Sequence, residues 1–188
     1  MVRFTGKWKY LFKECMKSFS ITLGCILAST VVWAQTILNT AFTADHRLIR
    51  DTKVFIIPPP GFRLNSNSIG YANNETGAHV AAIQSDKPLR SIREHLSEEY
   101  LRGKHYRIVE IKRYRINRMP AVWYELETEF YDRTTTKYIL IIGNRKEHAM
   151  IEAYCPKEYP LAGIALRRSI FSVYYDLDST YIKRPDPQ

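Results

Sequence analysis

The sequence contains few of the residues and motifs from which disulfides, nucleotide sites and hydrolase sites are built. Only three of its 188 residues are cysteine, and two of these, Cys15 and Cys25, lie near the N-terminus. Cys155 is the one thiol in the remainder, so an internal disulfide there is excluded. The P-loop, Gly-x-Ser-x-Gly and Gly-x-Gly-x-x-Gly motifs are also absent. Enzyme classes that depend on these motifs are therefore excluded.

The histidines do not have the spacing of a metal site. The sequence contains no His-x-x-x-His or Cys-x-x-Cys pattern, whereas a zinc site needs about four converging ligands. The histidines are therefore predicted to lie on the surface, or to be buried with their ring nitrogens hydrogen-bonded. No catalytic residue, metal site or cofactor is predicted. The five histidines are His46, His79, His95, His105 and His148.

The first 34 residues have the composition of an export signal. Residues 1–17 carry five Lys or Arg and one Glu, and residues 18–34 carry no charge. A basic segment, an uncharged run and a small closing residue make up a secretory signal peptide, so we expect cleavage after Ala34. Two alternatives stay open. In the first, the leader is not cleaved and its run of 17 uncharged residues anchors the chain in the membrane. In the second, Cys25, which follows a small residue, is acylated.

These features predict export to the periplasm or another extracytoplasmic compartment. Beyond residue 34 the chain is mildly basic, with 23 Lys or Arg and 18 Asp or Glu, a net charge of +5. This excess favours an anionic partner or membrane surface through its long-range field. A nucleic-acid interface needs basic residues clustered on one face, so nucleic acid is not predicted as a partner. Membrane attachment is expected only through the leader.

The periodicity beyond the leader predicts one α+β domain over residues 53–176. Residues 35–52 show no clear period and are interpreted as a linker, and residues 177–188 as a disordered tail. Ser91 and Glu94 have the spacing of a capping box, which predicts a helix over 91–102. Alternation of apolar and polar residues predicts antiparallel strands after this helix, and a second helix follows from Leu161 to Tyr175. We therefore expect an antiparallel sheet of about six to seven strands flanked by two helices.

Two segments carry a resemblance to a known family. An opening strand ends in Ile57-Pro-Pro-Pro-Gly-Phe62, and a basic strand is followed by the turn Ile116-Asn-Arg-Met-Pro-Ala121. Together with the order of the helices, these segments resemble the PsbP/DcrB-like family of exported proteins over roughly residues 52–176. The resemblance implies an α/β/α sandwich that acts as a non-enzymatic accessory or binding domain. It implies no functional residue, and Met119 stands where many members have Gly.

Two neighbouring strands carry opposite charges. Arg113 and Arg115 lie on the first, and Glu125, Glu127 and Glu129 alternate with apolar residues on the second. Strand parity places both rows on one polar face, where they would form a ladder of cross-strand ion pairs. This face is the candidate surface for binding a partner. The alternative is that the glutamates only form the solvated side of their strand.

The sequence thus predicts an exported, non-catalytic domain that binds a partner protein or other envelope component through its sheet face or loops. The alternative is a carrier of a small apolar ligand, held in a pocket between sheet and helix and lined by Tyr and Phe. Cys155 follows an apolar strand and is predicted to be a buried structural thiol, because reactivity needs exposure and a basic neighbour. The identity of the partner does not follow from the sequence.

Overall fold

A computed structural model describes residues 36–65, 69–130 and 133–178. The signal segment predicted over residues 1–34 lies outside the described residues, as does the predicted tail from residue 179 onward. The strands of the described chain are β1 Thr36–Leu38, β2 Arg47–Leu48, β3 Val54–Ile56, β4 Arg63–Leu64, β5 Gly70–Asn73, β6 Ala78–Ser85, β7 Arg107–Ile116, β8 Met119–Phe130, β9 Arg133–Gly143, β10 His148–Pro156 and β11 Tyr174–Tyr175. The helices of the same residues are α1 Leu89–His95, α2 Glu98–Gly103 and α3 Pro160–Phe171.

Most of the strands belong to one mixed sheet. Eight of them pair in the order β1-β7-β8-β9-β10-β6-β5-β4, and β11, β3 and β2 form a separate small sheet. All pairs in the large sheet are antiparallel except β1 with β7, which are parallel. The predicted α+β class is confirmed. The prediction of six to seven strands is too low, because strands as short as β1 and β4 are too brief to show a period in sequence.

The single helix predicted over 91–102 is two helices, α1 and α2. Ser91 does not cap the first of them, because it lies inside α1, where its hydroxyl donates to the carbonyl of Pro88 at 2.8 Å. The capping residue is Ser97, whose hydroxyl oxygen accepts from the backbone N–H of Tyr100 at 3.2 Å and begins α2. A serine followed by two glutamates favours a new helix start, which the sequence analysis overlooked.

The large sheet buries apolar side chains on both of its faces. On one face, called here the α3 face, a core of fully buried residues such as Trp123, Leu140 and Leu166 packs beneath α3 and the small sheet. On the other, the α1–α2 face, Leu101 and Leu126 belong to a second core with side chains from α1 and α2. Residues alternate between these faces along each strand. The expected layering, with helices on both sides of a sheet, is therefore present.

Residues 36–52 are part of this fold, so their interpretation as a linker is wrong. β1 extends the large sheet at its edge, and β2 pairs with β3 in the small sheet. Ile49 is fully buried in the core of the α3 face, and its N–H donates to the carbonyl of Val54 at 2.9 Å. β1 and β2 contain only three and two residues, and β1 pairs with a strand that is distant in the sequence. No local period in the sequence therefore indicates these contacts.

The burial of Ile49 leads to a stability prediction. We expect Ile49→Val to lower the free energy of unfolding by about 1 kcal/mol, because it removes one methylene from a packed core. Ile37→Val is the matched control at a side chain that is 66% exposed, and no measurable change is expected there. Urea unfolding followed by circular dichroism measures both variants. An unchanged midpoint for Ile49→Val would contradict its place in the core.

Candidate functional site

The predicted ladder of charges does not form, because β7 contains a β-bulge. Arg107 lies opposite Glu127, but the register shifts between Ile108 and Glu110, so that Glu110 lies opposite Glu125. A bulge inserts one residue on one strand, and since successive side chains point to opposite faces, every later residue changes face. Strand parity predicts the facing of β7 side chains only while the register is unbroken, so the prediction is wrong beyond the bulge.

The five residues of the predicted partner surface are consequently divided between the two faces. Arg113 lies opposite Val122 and Arg115 opposite Pro120, which places both arginines on the α1–α2 face. The three glutamates, Glu125, Glu127 and Glu129, alternate with that set and lie on the α3 face beside Trp123. The proposed ladder between these arginines and glutamates is therefore wrong.

Glu125 and Glu127 instead form ion pairs with basic residues on the α3 face. Glu127 accepts a hydrogen bond from Arg107 and forms an ion pair with Lys157 at 3.2 Å. The hydrogen bond from the Arg107 guanidinium is the main reason that the pKa of the Glu127 carboxyl is lowered. Arg167 of α3 reaches Glu125 at 3.2 Å. These carboxylates are thus satisfied within the fold and do not form an open acidic surface.

The outermost glutamate of the row is also bonded within the fold. The hydroxyl of Thr134, on the neighbouring strand β9, donates to Glu129 at 2.9 Å. Arg167 makes a further contact with Glu110 at 3.5 Å, so one arginine of α3 bridges the neighbouring strands β7 and β8 next to the bulge. Within the row, Glu125 attaches α3 to the sheet, whereas Glu127 and Glu129 bond to residues outside this helix.

The α1–α2 face contains a cleft with a very different lining. It has a volume of about 630 Å³ and lies between α1, the start of β8 and the turn that joins β9 to β10. Arginines from two separate elements line it, and none of its described lining residues carries a carboxylate. The lining residues are Pro88, Leu89, Arg90, Arg93, Pro120, Asn144 and Arg145.

Backbone hydrogen bonds hold the walls of this arginine cleft together. The N–H of Leu89, at the start of α1, donates to the carbonyl of Asn144 in the β9–β10 turn at 3.0 Å. Nδ1 of the buried His148 hydrogen-bonds the carbonyl of Lys87 at 2.7 Å and so ties the chain before α1 to β10. Arg90 and Arg93 are three residues apart, a spacing that places them side by side on a helix.

Two further arginines bring positive charge to the same face. Arg115 is the cross-strand neighbour of Pro120, which lines the cleft. Arg113 lies close enough to Tyr124 that, with Arg93, it opposes the rise in pKa that burial causes in this tyrosine. The helix α1, the strand β7 and the β9–β10 turn thus all contribute arginines to one face, where the sequence suggested only two.

Most of these arginines keep their charge unneutralised. Within residues 36–65, 69–130 and 133–178, no carboxylate lies within ion-pair distance of Arg90, Arg93, Arg115 or Arg145. All four residues are exposed. A guanidinium is a planar group of hydrogen-bond donors that matches carboxylate and phosphoryl oxygens in pairs. The arrangement is therefore able to bind an anion.

The groups considered for catalysis lie elsewhere and are used by the fold. Cys155 is buried as predicted, and burial raises the pKa of its thiol. Nε2 of the buried His46 donates to the carbonyl of Ser172 at 2.8 Å, since a carbonyl can only accept. Nδ1 of His46 then accepts from the N–H of Thr43 at 3.1 Å. In the described part of the chain, no group of three or more His, Cys, Asp or Glu residues is placed to hold a metal ion.

The fold and the cleft define an α+β sandwich with a basic site on one face. No family model and no curated protein matches the chain. Among solved structures, a protein of unknown function from Pseudomonas aeruginosa is similar at 12% identity and a TM-score of 0.45, over 72% of this chain and 86% of the other. None of the helices in the described residues is long and apolar enough to cross a membrane.

Two further solved structures are similar to this chain. Cyanobacterial PsbP from Synechocystis matches at 8% identity with a TM-score of 0.48, over 72% of this chain and 95% of that protein. LpqN of Mycobacterium tuberculosis, a protein involved in cell envelope biogenesis, matches at 10% identity with a TM-score of 0.44, over 64% of this chain and 81% of its own length.

Proposed function

We propose that this chain is an exported, non-catalytic accessory domain that binds an anionic envelope component in the arginine cleft. The observation that carries the proposal is the lining of the cleft, in which Arg90, Arg93 and Arg145 converge without a carboxylate. Exposed arginines packed together repel one another, and an anionic ligand relieves that repulsion. The cleft also falls in the usual size range of ligand sites.

Two further features support the export and the absence of catalysis in this proposal. The basic, then uncharged composition of residues 1–34 is that of a secretory leader. Cys155 is poorly suited to act as a nucleophile, because it is buried and its pKa is raised, whereas a reactive cysteine needs an exposed thiolate.

The second candidate function, a carrier of a small apolar ligand, is supported by one part of the same cleft. The cleft lies between a helix and the sheet, and Pro88, Leu89 and Pro120 provide apolar walls. Tyr and Phe, the residues expected to line such a pocket, are absent from the lining. An anionic group is therefore the better match, with the apolar walls in contact with the rest of the ligand.

The proposal is tested by exchanging the cleft arginines for a neutral residue of similar reach. We expect the combined variant Arg90→Gln, Arg93→Gln, Arg145→Gln to bind a solubilised envelope fraction at least about tenfold more weakly than the wild type, since each guanidinium contact to an anion contributes on the order of 1 kcal/mol. The full chain is immobilised and binding is measured by biolayer interferometry. Wild-type binding is expected to weaken as salt is raised.

The matched control is a triple variant that changes the net charge by the same amount at positions outside the cleft. It combines Arg102→Gln, Arg133→Gln and Arg168→Gln, three exposed positions that do not line the cleft. Its binding is expected to stay close to that of the wild type. Equal loss in both triple variants would mean that only the overall charge matters, and the cleft would then not be the site.

A further inference from the structure

We infer that the ligand of the arginine cleft carries at least two phosphoryl groups. This inference rests on the proposed function and specifies the chemistry of the group that binds. It is drawn from an imbalance among the side chains of the cleft lining, where several hydrogen-bond donors are present and the one side-chain acceptor, Oδ1 of Asn144, is already used by the fold.

Three acceptors of the cleft lining already hold hydrogen bonds within the fold. Oδ1 of Asn144 accepts from the backbone N–H of Lys146 at 2.7 Å and of Glu147 at 3.1 Å. The carbonyl of Asn144 accepts from Leu89. The carbonyl of Pro88 accepts from the backbone N–H of Ser91 at 3.0 Å and from its hydroxyl at 2.8 Å. The polar side-chain groups of the lining that are left for a ligand are the guanidiniums and the amide NH₂ of Asn144, which are all donors.

A lining of donors selects a ligand that offers only acceptors. A peptide segment brings one backbone N–H for nearly every carbonyl, and each N–H held in the cleft needs an acceptor that the side chains of the lining do not supply. A phosphoryl group has acceptor oxygens only and carries up to about two negative charges. An acidic peptide is therefore a poorer match than a phosphoryl ligand, although both are anionic.

The number and placement of the arginines indicate more than one phosphoryl group. Arg90 and Arg93 are neighbours on α1, and their Cβ atoms are expected about 5–6 Å apart, which suits two forks on one anion. Arg145 lines the cleft from the β9–β10 turn. Three guanidiniums offer more donors than one phosphoryl group accepts, and the cleft volume of about 630 Å³ exceeds what one such group fills.

The test is isothermal titration calorimetry of the full chain with inorganic pyrophosphate, inorganic phosphate and hexaglutamate. We expect pyrophosphate to bind at least about tenfold more tightly than phosphate, because the second phosphoryl group contacts further arginines. Arg93→Gln and Arg145→Gln are each expected to weaken pyrophosphate binding about tenfold. Arg133→Gln, at an exposed arginine outside the cleft, is the matched control and is expected to leave it unchanged.

Vesicles separate the two sources from which phosphoryl groups can come. Vesicles of phosphatidylcholine with cardiolipin, whose headgroup carries two phosphoryl groups, are compared with phosphatidylcholine alone. Binding of pyrophosphate without a preference for cardiolipin supports a soluble phosphoryl ligand. A preference for cardiolipin that Arg93→Gln and Arg145→Gln abolish supports a lipid headgroup, and either result upholds the inference.

The outcomes also separate this inference from the proposed function. Binding of hexaglutamate that depends on the cleft arginines, with no binding of pyrophosphate or cardiolipin, would overturn the inference and leave an anion-binding function in place. The absence of arginine-dependent binding for all four probes would overturn both. Circular dichroism of each variant confirms that the lost binding is not lost folding.

Discussion

Trp123→Ala is expected to lower the free energy of unfolding by about 4 kcal/mol, the usual range for loss of a large buried aromatic side chain. Trp123 is fully buried at the centre of the α3 face. Its ring stacks on Tyr138 at 5.5 Å between centroids and contacts Phe171 at 4.8 Å, and the Arg167 guanidinium lies 5.5 Å from its centroid. The substitution therefore removes contacts to both the sheet and α3.

Trp123→Phe separates the packing of this residue from its polarity. The indole Nε1 is buried and has no hydrogen-bond partner among the described residues. Phenylalanine keeps an aromatic ring and removes this unsatisfied N–H, so we expect a cost of only about 1 kcal/mol. Urea unfolding followed by circular dichroism compares the variants without relying on tryptophan fluorescence. Similar losses for Phe and Ala would show that the indole N–H contributes a bond of its own.

Gly70→Ala is the second substitution for which we expect a large effect, a loss of about 3 kcal/mol or more. Gly70 begins β5 and lies opposite Ala81 of β6. A Cβ atom at this position would lie 2.0 Å from the carbonyl oxygen of Val80 and 2.8 Å from the Cα atom of Ala81. Both are backbone atoms of a paired strand, so relief of the clash requires the β5–β6 pairing to open.

Gly103→Ala is the matched control for this glycine. A Cβ atom there meets nothing within 4 Å, and the residue ends α2. Alanine restricts the unfolded chain and favours a helix, so we expect the free energy of unfolding to rise by about 0.5 kcal/mol. Thermal and urea unfolding of both variants give the comparison. A loss at Gly103 equal to that at Gly70 would contradict the steric explanation.

The elements that could be predicted from the sequence are those with a strong local period. β8 alternates apolar residues with glutamates, and the apolar runs within β9 and β10 are separated by a turn rich in polar residues, a pattern that predicts these strands. The helix after Pro160 was also expected. Local periodicity identifies such elements because one face of each packs on a core.

The arginine cleft could not be predicted from local periodicity. Arg90 and Arg93 lie on α1, and Arg145 lies in the β9–β10 turn. Arg115 of β7 lies opposite the lining residue Pro120. Only the pairing of the strands and the packing of α1 on the sheet bring these arginines to one face. The single signal in the sequence was the net positive charge of the chain beyond residue 34. A sum of charges does not say which of them share a face.

Local sequence patterns are enough to predict the α+β class and the strands and helices with long periods, and residues 1–34 have the composition of an export signal. Tertiary structure alone decided which face Arg113 and Arg115 occupy, because the bulge near Glu110 reverses the parity of β7 and leaves no local mark in the sequence. It also decided that residues 36–52 belong to the domain, since the pairing of β1 with β7 and the burial of Ile49 depend on partners far along the chain.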